Sequence, residues 1–283
     1  MKEGMKLSFS TNAFTRFSVF DAVEKIAAIG YPGVELLADT PHLYPPSMID
    51  SDLYRLEDII RQTGIRVANV NANTAMGYYG RPFWEPVFEP SLANPDASAR
   101  KWRIDYTKRC IEIARAVHSP NVSITSGRMV PGTAPEESMN LLRASLDEVL
   151  DHAGKNGVRI GIEYEPGLLI ECFEELGSLL QEFDSPHLGA NLDLGHSHVL
   201  SEDPEVVIEG LSEKIFHIHI EDIRSRKHYH LVPGSGDVDF RRLFALLEES
   251  SYRGYATVEL YTYPHEPEEA ARRSLDYLEA QVY

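Results

Sequence analysis

The runs VRIGIE at residues 158–163, LGANLD at 188–193 and IFHIHI at 215–220 decide the fold of this chain. Each is a short, largely apolar run, and each is followed by a longer segment whose apolar residues recur at intervals of three and four. This order is typical of a buried strand followed by an amphipathic helix. Five further runs of the same kind lie at residues 7–12, 33–37, 65–71, 121–125 and 256–261.

Eight strands, each followed by a helix, is the number that closes a parallel barrel, and such a barrel takes about 250 residues. The sequence therefore predicts an α/β fold, a single (β/α)8 TIM barrel over residues 1–283, with its active site at the C-terminal face of the strands. The alternative is a doubly wound open sheet, because periodicity alone does not show closure. The nucleotide-binding patterns GxGxxG and GxxxxGK[ST] are both absent, which disfavours it.

Composition limits the classes of partner. The chain has 27 Lys and Arg against 44 Asp and Glu, a net charge of −17, and its densest basic stretch is Arg224, Arg226 and Lys227. A field of this sign repels phosphate backbones, so no nucleic-acid partner is expected. Two cysteines fit a reducing compartment, and no apolar run is long enough to span a membrane. We expect a cytoplasmic protein without a membrane partner.

Acids and histidines follow the last four predicted strands. The segments are GIEYEPG, NLDLGH, FHIHIED with KHYH, and TVELY, and the residues concerned are Glu163, Glu165, Asp193, His196, His217, His219, Asp222, His228, His230 and Glu259. A barrel brings the C-terminal ends of its strands into one ring. Several carboxylates in one interior must take up protons or share a cation, and mixed oxygen and imidazole donors suit Mn, Co, Fe or Zn. His217 and His219 share one face of their strand, and we expect only one of them to reach a common ion.

A long connection follows the third predicted strand, at residues 72–97. It is rich in aromatic residues, glycine and proline, and it includes Tyr78, Tyr79, Phe83 and Trp84. Its place at the C-terminal face allows two interpretations, a lid or pocket wall over the site or a contact between subunits.

The motifs IEYEPG, LDLGH, HIHIED with PGSGDVDF, and VEL resemble those of the xylose isomerase-like TIM barrels, a superfamily of sugar isomerases and epimerases, inosose dehydratases and endonuclease IV. The resemblance covers essentially the whole chain. It implies one divalent metal ion, with Mn preferred and Zn, Co, Fe or Mg as alternatives. The implied metal ligands are Glu163, Asp193, His219 and Glu259. Glu163 is preferred to Glu165 because it directly follows the strand, and His219 to His217 because Asp222 completes a His-x-x-acid pattern.

The same resemblance implies the groups that touch substrate. His196 of Asp-x-x-His and His230 before the Pro-Gly-x-Gly turn are candidates by motif, and the polar and aromatic residues Glu165, Asn71, Asn73 and Trp84 are further ones. The resemblance to endonuclease IV makes His228 and His230 possible ligands of an additional metal ion. That enzyme also has histidines after earlier strands, and the stretches VANVNAN and SITSG after the third and fourth predicted strands of this chain contain none, so a full three-zinc site is not expected.

The implied reaction is proton transfer on a keto-sugar or polyol. A metal that chelates a carbonyl and the adjacent hydroxyl acidifies the C–H between them and stabilises an enediolate. Glu163 and Glu259 are then the catalytic acid and base. The expected function is a sugar isomerase or epimerase. Alternatives are a metal-dependent lyase or dehydratase acting on a keto-sugar, inosose or glycoside, and an endonuclease IV-like phosphodiesterase. The only anion-binding candidates, GRMVPGT at 127–133 and PGSG at 233–236, are unspecific, which favours an unphosphorylated substrate. By analogy with the family, a homodimer or homotetramer is possible.

Overall fold

The computed structural model describes residues 4–81 and 86–281. Eight parallel strands form a closed barrel in the spatial order β1-β10-β7-β6-β5-β4-β3-β2, so the predicted TIM barrel is confirmed. The barrel strands are β1 (Lys6–Ser10), β2 (Gly33–Leu37), β3 (Arg66–Asn71), β4 (Asn121–Thr125), β5 (Arg159–Glu163), β6 (Leu188–Asp193), β7 (Ile215–Ile220) and β10 (Tyr255–Val258).

The helices surround the barrel. They are α1 (Val19–Ile29), α2 (Asp50–Thr63), α3 (Ala97–Ala116), α4 (Pro135–Asn156), α5 (Phe173–Phe183), α6 (Leu194–Leu200), α7 (Pro204–Leu211), α8 (Phe240–Glu249) and α9 (Pro267–Glu279). Gly30, Gly64 and Gly157 end α1, α2 and α4 in the left-handed conformation that glycine adopts without steric cost. The apolar core lies mainly between the outer face of the strands and these helices, where Val34, Leu192 and similar residues are fully buried.

Two barrel strands end earlier than predicted. The first ends at Ser10 because its hydroxyl accepts the N–H of Asn12 and a 3-10 helix, Thr11–Phe14, begins there. The last ends at Val258. In both places the chain leaves the sheet early, so that Asn12 and Glu259 lie at the mouth of the barrel rather than in its wall.

A hairpin at the C-terminal mouth is the element that the sequence pattern does not predict. Strands β8 (Asp222–Arg224) and β9 (Lys227–Leu231) pair antiparallel outside the barrel. Their polar sequence carries no alternating apolar signal, and buried Asp222 holds the turn that follows. Its Oδ2 accepts the N–H groups of Gly234 (2.8 Å) and Gly236 (2.7 Å), and Oδ1 accepts that of Val238 (3.1 Å).

A buried histidine lies away from the mouth residues discussed below. The hydroxyl of Thr11 donates to His42 Nδ1 (3.1 Å), and His42 Nε2 donates to the carbonyls of Phe14 and Phe17 (both 3.3 Å). Every polar atom of this ring is therefore used in its neutral form. Burial lowers the pKa of His42 to about 4.

Across the described residues, no helix has both the length and the apolarity that crossing a membrane requires.

Candidate functional site

Four of the predicted residues converge at the C-terminal mouth of the barrel. Glu163 ends β5, Asp193 ends β6, His219 lies in β7 and Glu259 follows β10. One ligand atom from each lies within 4.8 Å of those of the other three, and the four residues are 0–7% exposed. His219 Nδ1 is 3.2 Å from Glu163 Oε2 and 3.8 Å from Glu259 Oε2. We call this set the four-residue centre.

Glu35, which the sequence analysis did not select, fixes the ring of His219. It lies in the middle of β2 and is fully buried. His219 Nε2 donates to Glu35 Oε2 (2.6 Å), so Nδ1 is the nitrogen on the side of the four-residue centre, where it also lies 3.2 Å from Nδ2 of Asn191. A carboxylate behind a ligand histidine is a common way of orienting the ring and raising its basicity. His217 lies one layer deeper, with Nε2 2.8 Å from the hydroxyl of Thr257, and it is not in the four-residue centre. It does lie close enough to Glu35 and His219 for these three to hold an ion together, so the expectation that only one of the two histidines reaches a common ion stays a prediction.

Pairs of asparagine amides hold each of the two predicted catalytic carboxylates. Glu259 Oε1 accepts from Nδ2 of Asn12 and of Asn71, both at 3.0 Å. Glu163 Oε2 accepts from Nδ2 of Asn73 (2.7 Å) and of Asn191. Each carboxylate therefore has one anchored oxygen and one without an amide donor, Oε1 of Glu163 and Oε2 of Glu259.

This asparagine arrangement bears on the substrate contact predicted for Asn71. Its Nδ2 also donates to Glu35 Oε1 (3.1 Å), and its Oδ1 accepts the N–H of Asn73. The amide group of Asn71 thus holds two carboxylates while the residue lines the cavity. A contact of Asn71 with substrate stays a prediction.

Asp193 has one oxygen that is bonded and one that is not. Oδ1 accepts the N–H groups of Gly195 (2.7 Å) and His196 (2.9 Å) at the start of α6. Oδ2 is buried without a hydrogen-bond partner in the described part of the chain. Beside it lies Glu221, also fully buried, and neither of its carboxyl oxygens has a partner there. A buried carboxylate oxygen without a donor is costly unless it binds a proton or a cation.

The remaining histidines form a second group, which we call the three-histidine cluster: His196, His228 and His230. His228 Nε2 is 2.9 Å from His196 Nε2 and 2.7 Å from His230 Nε2. His196 and His230 are 2% exposed, and His228 is half-buried on the hairpin. The cluster adjoins the four-residue centre, because His196 Nε2 is 3.6 Å from Asp193 Oδ2.

Both groups open into one cavity of about 300 Å³. Its walls include Asn12, Asn71 and Asn73, the three histidines of the cluster, Glu165, Met76, Phe88 and Tyr261. None of the described lining residues is Lys or Arg. Trp84 and Phe83, predicted as a possible wall, lie outside the described residues. Tyr78 and Tyr79 do not line the cavity; they are 41% and 44% exposed and pack on each other, and Tyr78 also packs on Trp102.

Both candidate anion-binding loops have amides that already donate to carboxylates of this chain. Asp222 accepts the N–H groups of Gly234 and Gly236 in the PGSG turn. The N–H of Arg128 donates to Glu89 Oε1 (2.9 Å). Because these donors already meet carboxylates, neither loop presents them to a phosphate.

The electrostatics of the mouth follow from crowding acids and imidazoles away from water. Burial, together with Glu163, Glu35 and Asp193, raises the pKa of Glu259 to about 8 despite nearby His219. Burial also raises the pKa of Glu165 to about 7. Burial by itself would lower the pKa of His196, but the charges of Asp193, Glu165 and Glu163 raise that pKa to about 9. Burial lowers the pKa of His228 to about 4 and of His230 to about 3.

A parallel barrel with this acid-rich mouth defines the class of protein. The family described as xylose isomerase-like TIM barrel matches residues 23–281, and the chain belongs to that family.

Individual relatives are epimerases and dehydratases. Fructoselysine 3-epimerase of Shigella flexneri is 24% identical over 281 residues, covering 98% of both chains. Inosose dehydratase of Clostridium perfringens is 27% identical over 141 residues, 44% of this chain and 48% of that one. The solved structure of an IolI protein with a bound zinc atom superposes with a TM-score of 0.81 at 21% identity, covering 98% of both chains. The last likeness shows the shared fold.

Proposed function

We propose that this chain is a divalent-metal-dependent epimerase or isomerase of a keto-sugar or polyol. The observation that carries the proposal is the pair of carboxylates, Glu163 and Glu259, each anchored through one oxygen by two asparagine amides. Two fixed carboxylates in one cavity allow one to remove a proton from carbon and the other to return a proton. The full-length similarity to an epimerase supports the same reaction class.

The four-residue centre fits a metal ion. Three carboxylates and one imidazole are a suitable donor set for Mn, our preferred ion, and for Co, Fe, Zn or Mg. Asp193 Oδ2 lacks a donor in the described part of the chain, and Glu35 holds His219 so that its Nδ1 lies 3.2 Å from Glu163 Oε2 in the centre. The residues that would hold the ion are Glu163, Asp193, His219 and Glu259. When bound, it would supply polarisation of a substrate carbonyl and acidify the neighbouring C–H.

The proton transfers fall to the free carboxylate oxygens. Glu259 acts as the acid through Oε2, the oxygen that has no amide donor. Glu163 Oε1 is the corresponding base. Asn12 holds one oxygen of Glu259, and Asn73 holds one oxygen of Glu163. These contacts keep the other oxygen of each carboxylate directed at the cavity. Return of the proton to the original carbon gives epimerisation, and return to its neighbour gives isomerisation.

Substrate recognition rests on uncharged and imidazole groups. We propose that His196, His230, Glu165 and Asn71 contact hydroxyls, with Trp84 as an aromatic wall. The absence of Lys and Arg from the described cavity lining, and the occupied amides of both glycine-rich loops, favour a substrate without phosphate. The same features and the net charge of −17 disfavour the phosphodiesterase alternative. A homodimer or homotetramer stays a prediction.

A dehydratase is the second candidate. Glu165 lines the cavity and its pKa of about 7 lets it carry a proton at neutral pH, which suits protonation of a departing hydroxyl. The partial similarity to inosose dehydratase supports this reading.

Proton exchange in deuterated water distinguishes these reactions. The chelator-treated chain is reloaded with Mn²⁺ and incubated in D2O with a panel of ketoses and inososes, and products are followed by NMR. Deuterium at a carbon next to the carbonyl, with a changed configuration or a shifted carbonyl, supports epimerisation or isomerisation. Loss of water with exchange supports the dehydratase. No exchange into any substrate across the panel would contradict the proton-transfer proposal.

A further inference from the structure

The third barrel strand ends between two of the asparagines that anchor the paired carboxylates. Asn71, its last residue, donates to Glu259 Oε1 (3.0 Å), and Asn73 donates to Glu163 Oε2 (2.7 Å). The N–H of Ala72 still donates to a carbonyl of β4 (2.9 Å), and beyond it the chain leaves the barrel wall. Asn73 therefore needs support from outside the sheet to keep its amide directed at Glu163.

A buried arginine supplies part of that support. Arg103 on α3 is 1% exposed, and its guanidinium donates to the carbonyls of three consecutive residues. Nη2 donates to Ala72 (2.5 Å) and Asn73 (3.0 Å), and Nη1 donates to Thr74 (3.1 Å). The guanidinium presents several donors in one rigid plane, so it fixes the direction of these carbonyls as well as their distance.

The burial of Arg103 is costly, and helix packing does not explain it. Within the described part of the chain this residue forms no ion pair, and its Nε is buried without an acceptor. The ring of Tyr106, 5.2 Å from Cζ, compensates part of the charge. Arginine is almost never fully buried without a partner, and a methionine would fill this position of the helix without the cost of desolvating a charge. What the guanidinium adds is its grip on the carbonyls of residues 72–74.

A buried aspartate holds the same stretch of chain at its other end. Asp39, just after β2, is fully buried. Its Oδ2 accepts from the hydroxyl of Thr74 (2.6 Å) and the N–H of Met76 (2.7 Å), and its Oδ1 accepts from the N–H of Gly77 (2.8 Å). We call residues 72–77 the exit segment. A guanidinium binds its carbonyls and a carboxylate binds its N–H groups, so two buried charges of opposite sign fix its position.

We propose that Arg103 and Asp39 are positioning residues, which fix the exit segment and thereby hold the amide of Asn73 against Glu163. The inference rests on the proposed function, in which Glu163 is both a metal ligand and the base. Neither Arg103 nor Asp39 lines the cavity, so both act through the segment between them and the carboxylate. The path from Arg103 is short: the guanidinium binds the carbonyl of Asn73, and the side-chain amide of the same residue binds Glu163 Oε2. Groups that orient a metal ligand in this way affect metal affinity and activity without touching the ion.

The side-chain amide of Asn73 reports this positioning without metal, substrate or turnover. In the metal-free, 15N-labelled full chain its NH2 signals are assigned by their absence from Asn73→Ala, and their hydrogen exchange with water is measured by NMR. The exchange should be slow in the unaltered chain, because the amide is buried and donates to Glu163. Arg103→Met should speed it about tenfold or more, and Arg103→Lys, which keeps the charge and some donors, should speed it less.

Ile111→Ala is the matched control for lost stability. Ile111 is a fully buried residue of the same helix, two turns beyond Arg103, and its apolar side chain makes no hydrogen bond to the exit segment. In urea unfolding it should destabilise the chain as Arg103→Met does, while the amide exchange of Asn73 stays within about twofold of the unaltered chain. A merely structural role of Arg103 predicts the same result for both variants.

A double-mutant cycle tests whether Arg103 acts through Asn73. Calorimetric titration gives the Kd for Mn²⁺ of the unaltered chain, Arg103→Met, Asn73→Ala and the double variant. Arg103→Met should weaken binding about tenfold in the unaltered background and less than about threefold once Asn73 is alanine. The rate of deuterium exchange into a substrate should follow the same pattern.

The outcomes separate this inference from the proposed function. Unchanged amide exchange in folded Arg103→Met, or an equal loss of Mn²⁺ affinity with and without Asn73, would overturn the positioning role. If circular dichroism shows that Arg103→Met is unfolded, Asp39→Asn, which leaves the guanidinium in place, is measured instead with the same expectations. A chain that binds no Mn²⁺ and exchanges no deuterium would contradict the proposed function, while the amide exchange would still decide whether Arg103 and Asp39 position Asn73.

Discussion

Replacing Glu35 by Gln tests whether the buried carboxylate behind His219 prepares the metal ligand. The ion is expected on Nδ1 of His219, while Nε2 donates to Glu35 Oε2 over 2.6 Å. Hydrogen bonds to an ionised acceptor contribute about 1.5–3 kcal/mol against about 0.5–1.5 kcal/mol for neutral ones. The neutral amide of glutamine should therefore cost about 1–1.5 kcal/mol of metal binding, close to tenfold in Kd, and up to a hundredfold if the ring also turns.

The same change has a second effect that does not depend on metal. Asn69 Nδ2 donates to Glu35 Oε2 (2.9 Å), and Asn71 Nδ2 donates to Glu35 Oε1 (3.1 Å). Whichever way the glutamine amide is turned, its NH2 group faces one of these donors. One unmade buried hydrogen bond costs about 1–3 kcal/mol of unfolding free energy. This cost is present with and without metal, so it does not contribute to the change in affinity.

Two measurements separate these effects. Calorimetric titration of Mn²⁺ into the chelator-treated chain gives the affinity, and urea unfolding of the metal-free chain gives the stability. Glu209→Gln, an exposed change of the same chemistry on α7, is the control and should alter neither. If folded Glu35→Gln binds Mn²⁺ within twofold of the unaltered chain, the orienting role of Glu35 is wrong.

Further changes test the catalytic acid, the packing of the mouth, the hairpin and one buried imidazole. Glu259→Gln should reduce turnover at least a hundredfold because the amide does not transfer a proton; turnover within tenfold of the unaltered chain would remove the acid role. Gly195→Ala should lower the unfolding free energy by about 1–3 kcal/mol, because the new Cβ would lie 1.7 Å from Glu221 Oε1. Adding Glu221→Ala to that variant should restore part of the lost stability, as measured by urea unfolding. Asp222→Asn should lower the unfolding free energy by about 1–3 kcal/mol, because it turns an NH2 group towards backbone N–H donors. An unchanged urea unfolding curve would show that the turn does not depend on the carboxylate of Asp222. The pKa of His42 is about 4 in the folded chain and about 6.5 in the unfolded chain. Its contribution to the unfolding free energy, about 3 kcal/mol, is therefore complete above pH 6.5 and is lost as the pH falls towards 4. His42→Gln should flatten that part of the pH dependence measured by urea unfolding, and an unchanged slope would contradict the assignment.

The barrel was predictable because its strands carry strong local signals. Runs such as GVELL and IFHIHI are apolar and short, and glycines stop several of the helices between them. The hairpin at 222–231 was not predictable, because its stability comes from one buried carboxylate, Asp222, bonded to amides 12–16 residues further along the chain. Such a contact leaves no periodic trace in the sequence.

Only part of the candidate site could be predicted from the sequence, for a related reason. Strand-end acids and histidines are visible in the sequence, and the structure brings the predicted four together. Glu35 has one signal, a lone charged residue inside an apolar strand, but that signal does not tell which partner it meets. Asn71 and Asn73 were identified as polar groups for a substrate. An amide donates equally well to a sugar hydroxyl or to a carboxylate, and only the fold shows that both donate to carboxylates.

Charge balance connects the metal and the proton chemistry of this mouth. Five carboxylates, Glu35, Glu163, Asp193, Glu221 and Glu259, are buried there, and no Lys or Arg lines the described cavity. The asparagine amides satisfy individual oxygens, but they are neutral and do not compensate the charge. What remains must be compensated by the neighbouring imidazoles, by a cation or by protons. Without a cation, protons contribute, because burial together with the neighbouring carboxylates raises the pKa values of Glu221 and Glu259. A divalent ion at the four-residue centre would replace these protons, so metal binding at this mouth is expected to release protons and to weaken as the pH falls.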